Sequence, residues 1–191
     1  MRKSICIVFL LGCILSQLQA QSRIGIKAGA NASSTSSAQL VENAVVGIHA
    51  GIFRSDQIFS KLDVRSELLF SQKGWQLSFF EPNTGLVDIR YRLNYLEGLV
   101  ALHWKVLPKL AFYPGIQLSA LLSYKVLIKP GYIQAEYENP SRLEFAPLIG
   151  ANYQLTKHWS TDLRFNYGTW SIDGWPVSKS AVLMLGLEYR L

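Results

Sequence analysis

Cysteine is almost missing: the 191-residue chain has two, Cys6 and Cys13, both within the first 20 residues. If that segment is removed on export, no thiol remains, which excludes disulfides, cysteine catalysis and Cys-ligated metal sites from the rest. Charge is also scarce, at 17% Asp, Glu, Lys and Arg against 49% hydrophobic residues. A chain this apolar and weakly charged is not disordered. Beyond the N-terminus, no apolar run reaches the ~18 residues that a helix needs to cross a bilayer. Basic residues outnumber acidic ones by 19 to 13, but they form no stripe of the kind nucleic-acid binding requires.

The N-terminus reads as an export signal. Met1-Arg2-Lys3 is a short positive region, Ser4 to Leu15 an apolar one, and Leu18-Gln19-Ala20 ends on a small residue. Residues 1–20 are therefore expected to be a signal peptide cleaved after Ala20, with residues 21–191 forming one domain. Leu10-Leu11-Gly12-Cys13 offers the alternative of lipoprotein processing at Cys13, through an imperfect lipobox.

The remaining sequence alternates. Ile24, Ile26, Ala28 and Ala30 interleave with Gly25, Lys27, Gly29 and Asn31. Leu183, Leu185, Leu187 and Tyr189 interleave with Met184, Gly186, Glu188 and Arg190. Period two means strand, because successive side chains leave opposite faces. Eight segments follow, near residues 23–32, 45–54, 61–75, 87–105, 110–126, 142–155, 160–170 and 179–191. Short connections (55–60, 106–109, 156–159) alternate with longer ones (33–44, 76–86, 127–141, 171–178). That organisation predicts an all-β fold, an eight-stranded antiparallel up-and-down transmembrane β-barrel with short periplasmic turns and longer outer loops.

The polar stripe has nearly balanced charge. Lys27, Arg65, Lys73, Lys125, Arg142, Arg164 and Arg190 face the same way as Asp63, Glu67, Glu97, Glu144, Asp162 and Glu188. Turned inward, these groups meet the need of buried charges for partners. The apolar stripe then faces lipid, and closure satisfies the backbone. Aromatic girdles are expected from Phe53, Phe59, Trp104, Phe112, Tyr153, Trp159 and Tyr189 at the periplasmic end. Phe70, Trp75, Tyr124, Phe145, Tyr167, Trp170 and Trp175 would form the outer one. The alternative is an exported soluble barrel of the lipocalin type, with the same alternation turned inside out.

Several short motifs run in order along the chain. They are Gly25-Ile26-Lys27-Ala28-Gly29, Glu67-Leu68-Leu69-Phe70-Ser71-Gln72-Lys73-Gly74, Tyr95-Leu96-Glu97, Gly150-Ala151-Asn152-Tyr153, Arg164-Phe165-Asn166-Tyr167-Gly168 and the closing Gly186-Leu187-Glu188-Tyr189-Arg190-Leu191. Together they resemble the PorT-like outer-membrane β-barrel family of Bacteroidota, over essentially all of residues 21–191. Gly98 departs from the family's usual proline, and Leu191 from its terminal aromatic. The resemblance implies an outer-membrane barrel and, for the protein that gives the family its name, a part in protein secretion.

Arg65, Glu67, Glu97 and Arg164 form the best inward cluster. An eight-stranded barrel is only wide enough for side chains to fill it, so a salt-bridged plug is expected in place of an open pore or proton path. Inward glycines (Gly25, Gly29, Gly47, Gly51, Gly115, Gly150, Gly168, Gly186) would leave room for long Arg and Lys side chains. His49, His103 and His158 have no metal-ligand spacing, and neither a metal nor a cofactor is implied. His158-Trp159-Ser160 matches the His-x-Ser pair of lipid A deacylases, but it falls at the periplasmic end. A lipid A-modifying enzyme is therefore kept only as an alternative, and no catalytic residue is expected. Arg90 and Arg92 point outward near the outer end, where they either meet lipopolysaccharide phosphates or stand in the aqueous part of the strand. Trp75, Phe79, Phe80, Tyr132 and Tyr137 in the outer loops offer aromatic contact surface, since loops on a rigid scaffold commonly carry binding. The expected role is structural or surface-interacting, with outer-membrane lipid, lipopolysaccharide, the barrel-assembly machinery and other envelope proteins as partners. An accessory part in secretion is the second reading.

Overall fold

The computed structural model describes residues 22–36, 42–82, 85–129, 133–137, 143–168, 170–171 and 179–191. The expected signal peptide, Cys13, Tyr132, Arg142 and Trp175 lie outside the described residues. So do the side chains of Phe79, Tyr137 and Trp170. The strands are β1 (Arg23–Ser36), β2 (Glu42–Phe59), β3 (Leu62–Glu81), β4 (Gly85–Leu107), β5 (Leu110–Lys129), β6 (Ile133–Tyr137), β7 (Leu143–Gln154), β8 (Trp159–Gly168), β9 (Trp170–Ser171) and β10 (Lys179–Arg190).

Eight of them close a ring. β1 through β5 pair in sequence, β5 pairs with β7, β7 with β8, β8 with β10, and β10 returns to β1. Every pairing is antiparallel. Closure gives the ring strands a partner on each side, the condition for crossing hydrocarbon with strands. At the seam, the Leu191 amide donates to the Ile24 carbonyl (3.0 Å) and the Arg190 amide to His158 (2.8 Å).

The alternation sorts the side chains as the charge argument requires. Ile48 is 62% exposed and Leu185 58% on the outer wall, while Lys27, Glu67, Asp162 and Arg164 are buried inside. A lipocalin-type interior is thereby overturned: the apolar stripe faces out.

Four expectations need correction. Residues 76–81, 85–86, 127–129 and 133–137 are strand: the alternation of Leu86-Val87-Asp88-Ile89-Arg90 with Gln76-Leu77-Ser78 continues the β3–β4 ladder to Glu81↔Gly85, and β6 pairs with β5. Gly85, the last rung of that ladder, has φ +79°, where a side chain would be strained. β3, β4, β5 and the short β6 thus rise together above the barrel rim. Second, Lys125 faces outward, opposite Arg92. One extra residue, Leu122, sits between the Tyr95↔Leu121 and Asn94↔Ser123 pairs, and a bulge of one residue reverses every later side chain. Third, Phe53, Trp75 and Tyr124 leave the girdles. Phe53 and Trp75 share the inward parity of their strands, and the same bulge brings Tyr124 inward. Fourth, the inward glycines serve rings and a carboxylate as much as long bases. A Cβ on Gly25 would strike Phe53, one on Gly150 would strike Tyr113, and one on Gly168 the Glu144 carboxylate. Phe59, Trp104, Phe112, Tyr153 and Trp159 are exposed near the short turns at one end of the barrel, and Phe70 and Tyr167 toward the opposite end.

The β2–β3 ladder breaks between Ala44↔Trp75 and His49↔Ser71. Side chains from β1 reach across β2 to stitch it. Asn31 donates to the Ser71 hydroxyl (3.0 Å) and the Gln72 carbonyl (3.1 Å), and accepts from His49 Nδ1 (2.5 Å). The Ser33 hydroxyl accepts from the Gly74 amide (2.8 Å). Asn31→Ala should lower the unfolding free energy by about 1–3 kcal/mol, the cost of leaving buried partners unsatisfied. Denaturant titration in lipid vesicles measures it, and unchanged stability would mean that the break holds without its stitch.

Candidate functional site

Two regions gather the chemistry: the filled lumen and the sheet above the rim. In the lumen, β1 supplies Lys27, β3 Arg65 and Glu67, β8 Asp162 and Arg164, and β10 Glu188. Each comes from an inward position of its strand. Arg164 Nη2 donates to Glu67 Oε2 at 2.7 Å, and Arg65 Nε lies 2.8 Å from Glu67 Oε1. Arg65 also makes a forked pair with Glu188, at 2.5 and 3.0 Å. Lys27 sits among all three acids: it bonds Asp162 and lies 3.6 Å from Glu67 and 3.4 Å from Glu188. Three bases and three acids cancel in a space without bulk water, and forked guanidinium pairs are the strong form of such contacts.

Neutral groups complete the cluster. The Tyr113 hydroxyl donates to Asp162 Oδ2 (2.5 Å) and accepts from Arg164 Nε (3.2 Å), while His103 stacks on its ring at 4.1 Å. Asn152 and Ser160 each donate to Glu188 Oε2 at 2.9 Å. The Arg65 guanidinium lies 3.8 Å over the Phe53 ring. Sequence reasoning did not single out Tyr113; its shared parity with Gly115, Gln117 and Ser119 was the available signal.

Of the four residues expected to cluster, Arg65, Glu67 and Arg164 meet. Glu97 stands apart. It pairs across β3 with Leu69, beyond Glu67 toward the outer end, and its carboxylate takes Lys73 at 2.7 Å. The Lys73 ammonium lies 4.9 Å from the Tyr95 ring centroid. Above that pair, Leu93, Tyr95 and Leu121 form a buried cluster with Trp75, Tyr91 and Tyr124 packed on it. Trp75 stacks on Tyr91 at 4.8 Å. Toward the outer end, the inner face of β3–β5 is thus apolar and aromatic.

The histidines go to separate places. His49 bonds Asn31, His103 stacks on Tyr113, and His158 Nδ1 lies 3.1 Å from the Arg190 carbonyl. Ser160 turns inward to Glu188, so the His158-Trp159-Ser160 sequence does not assemble a histidine-activated hydroxyl.

Outside the rim the sheet carries a different chemistry. On β4, the outward apolar residues run from Trp104 to Leu96 and then stop. Asn94 follows, bonded to Gln72 (3.2 Å) and Ser123 (3.0 Å). Arg92 and Arg90 come next, both exposed. Gln76 holds the Arg90 guanidinium at 2.8 and 3.2 Å, and Arg92 pairs across the ladder with Lys125. At the tip, Phe80 is 74% exposed.

An exposed apolar wall, two aromatic borders and a neutralised interior define an outer-membrane β-barrel protein. A sequence profile described as the outer membrane protein beta-barrel domain matches residues 16–173, and the chain belongs to that family. No curated protein sequence matches the chain. Among solved structures, it is similar to Ail, the attachment invasion locus protein of Yersinia pestis. The two are 13% identical, with 89% of this chain and 99% of that one covered and a TM-score of 0.57. It is also similar to Neisserial surface protein A, at 16% identity, 88% and 97% coverage and a TM-score of 0.53. At these identities the likeness is one of fold.

Proposed function

We propose that this protein is a non-catalytic structural barrel of the outer membrane that presents its β3–β6 sheet to partners at the cell surface. The observation that carries the reading is the placement of Arg90 and Arg92. They begin where the apolar stripe of β4 ends, at the depth of outer-leaflet headgroups. Guanidinium groups match the oxygens of phosphate, so the lower part of the sheet engages lipopolysaccharide phosphates. The exposed tip around Phe80 is then free for other envelope proteins. The filled lumen supports a role without conduction. The resemblance to PorT-like barrels adds, as a second expectation, a scaffold part in protein secretion; a deletion strain that exports its cargo normally would remove it.

The test compares the wild type with R90A/R92A in bilayers with and without lipopolysaccharide. Lipopolysaccharide should raise the unfolding midpoint of the wild type and leave that of the double variant unmoved. An equal rise in both would reject the phosphate contact. Removing the hairpin tip, residues 79–86, should leave the barrel folded and abolish co-purification of envelope partners.

A further inference from the structure

The outer wall has one place where it is not flush. Pro114 lies in the middle of β5 and has no amide to offer β4. The β4–β5 pairing runs to Ala101↔Gly115 and resumes at Trp104↔Phe112, skipping the rungs between. Beside it, β7 turns the small Ala151 outward among larger neighbours. The result is a groove of about 440 Å³ walled by Trp104, Phe112 and Phe165 and floored by Pro114 and Ala151. A second groove of about 440 Å³ shares Trp104 and Pro114 with the first and runs past Leu62 to Lys61. Lys61 sits in the short β2–β3 turn, at the periplasmic border of the membrane. It is exposed and forms no ion pair among the described residues, whereas nearby Lys105 is held by Asp63 at 2.7 Å.

An apolar furrow that ends at an uncompensated ammonium has the chemistry of one lipid. We propose that the wall binds a single glycerophospholipid of the inner leaflet, with an acyl chain along the Trp104–Pro114 grooves and the headgroup phosphate on Lys61. Fluid hydrocarbon covers the rest of the wall without needing a seat. This stretch differs because an aromatic ridge, the small Ala151 and a free cation meet there.

Native mass spectrometry of the full barrel, released from micelles loaded with phosphatidylglycerol or diacylglycerol, tests the proposal. The wild type should retain one phosphatidylglycerol, saturably and in preference to diacylglycerol. Ala151→Phe fills the furrow and leaves the charge; it should cut retention about tenfold, the equivalent of roughly two methylenes of lost burial. Lys61→Gln should erase the preference for phosphatidylglycerol and spare the residual binding of both lipids. Ile48→Phe, on β2 away from the grooves, should change nothing. Trp104→Ala removes the shared wall and repeats the test if Ala151→Phe does not fold, as judged by heat-modifiable gel mobility. Non-saturating lipid adducts, or equal retention by wild type and the groove variants, would show ordinary annular lipid and overturn the proposal.

Discussion

Glu67→Leu should cost about 3–5 kcal/mol of unfolding free energy, the usual penalty for removing one partner of a buried ion pair. Glu67 is fully buried and faces three cations: Arg164 Nη2 at 2.7 Å, Arg65 Nε at 2.8 Å and Lys27 Nζ at 3.6 Å. Without it, three bases share Asp162 and Glu188, and no bulk solvent is present to screen the excess. The complementary loss, Arg164→Met, strands Glu67 and the Tyr113–Asp162 pair and should be comparably severe. Combining the two restores charge balance, so the double variant should lose less than the sum of the singles. Neighbours in one network are not additive. Urea titration of the barrel in lipid vesicles reads all three. A loss below about 1 kcal/mol for Glu67→Leu is the range of solvent-screened pairs and would mean that water enters the lumen.

Ile48→Arg and Leu185→Arg should each cost about 2–4 kcal/mol near the middle of the membrane, falling toward the borders. The charge would have to enter hydrocarbon, whereas Phe80→Arg, beyond the rim, should be nearly neutral. A soluble barrel of the same sequence would accept an exposed arginine at either position at little cost. The vesicle titration that measures the Glu67 series measures these variants too.

The two effects depend on opposite faces of the same strands, and that division was legible in the sequence. Ile24, Ile26, Ala28 and Ala30 against Gly25, Lys27, Gly29 and Asn31 needed only the two-residue period of a strand. Balanced charge on one stripe then said which face was sealed. Which charges meet was less legible. Glu97 shares its parity with the cluster, but the stagger between strands, a property of the closed barrel, carries it to Lys73. The outward turn of Lys125 is not legible, because the bulge at Leu122 leaves no mark in a run of Leu121, Leu122 and Ser123 that reads as unbroken strand. The hairpin above the rim is hidden because Pro82, Asn83, Thr84 and Gly85 carry the composition of a loop, while the alternation on either side is short. Phe53 and Trp75 show a different difficulty: an aromatic ring fits a girdle or a lumen equally well by composition. Only parity separates the two, and for both residues parity says inward.

The central claim is that lipid touches Ile48, Leu68, Leu118 and Leu185 while the charged residues are enclosed. Single cysteines at these four positions, and at Ser71 and Ser119 inside, can carry nitroxide labels in the barrel reconstituted into bilayers. Collision rates with dissolved oxygen and with a water-soluble nickel chelate measure the surroundings of each label. The account predicts strong oxygen contact and negligible nickel contact at the four wall positions, with little access by either agent at Ser71 and Ser119. Nickel reaching Ile48 or Leu185 as freely as it reaches Phe80 at the tip would contradict it.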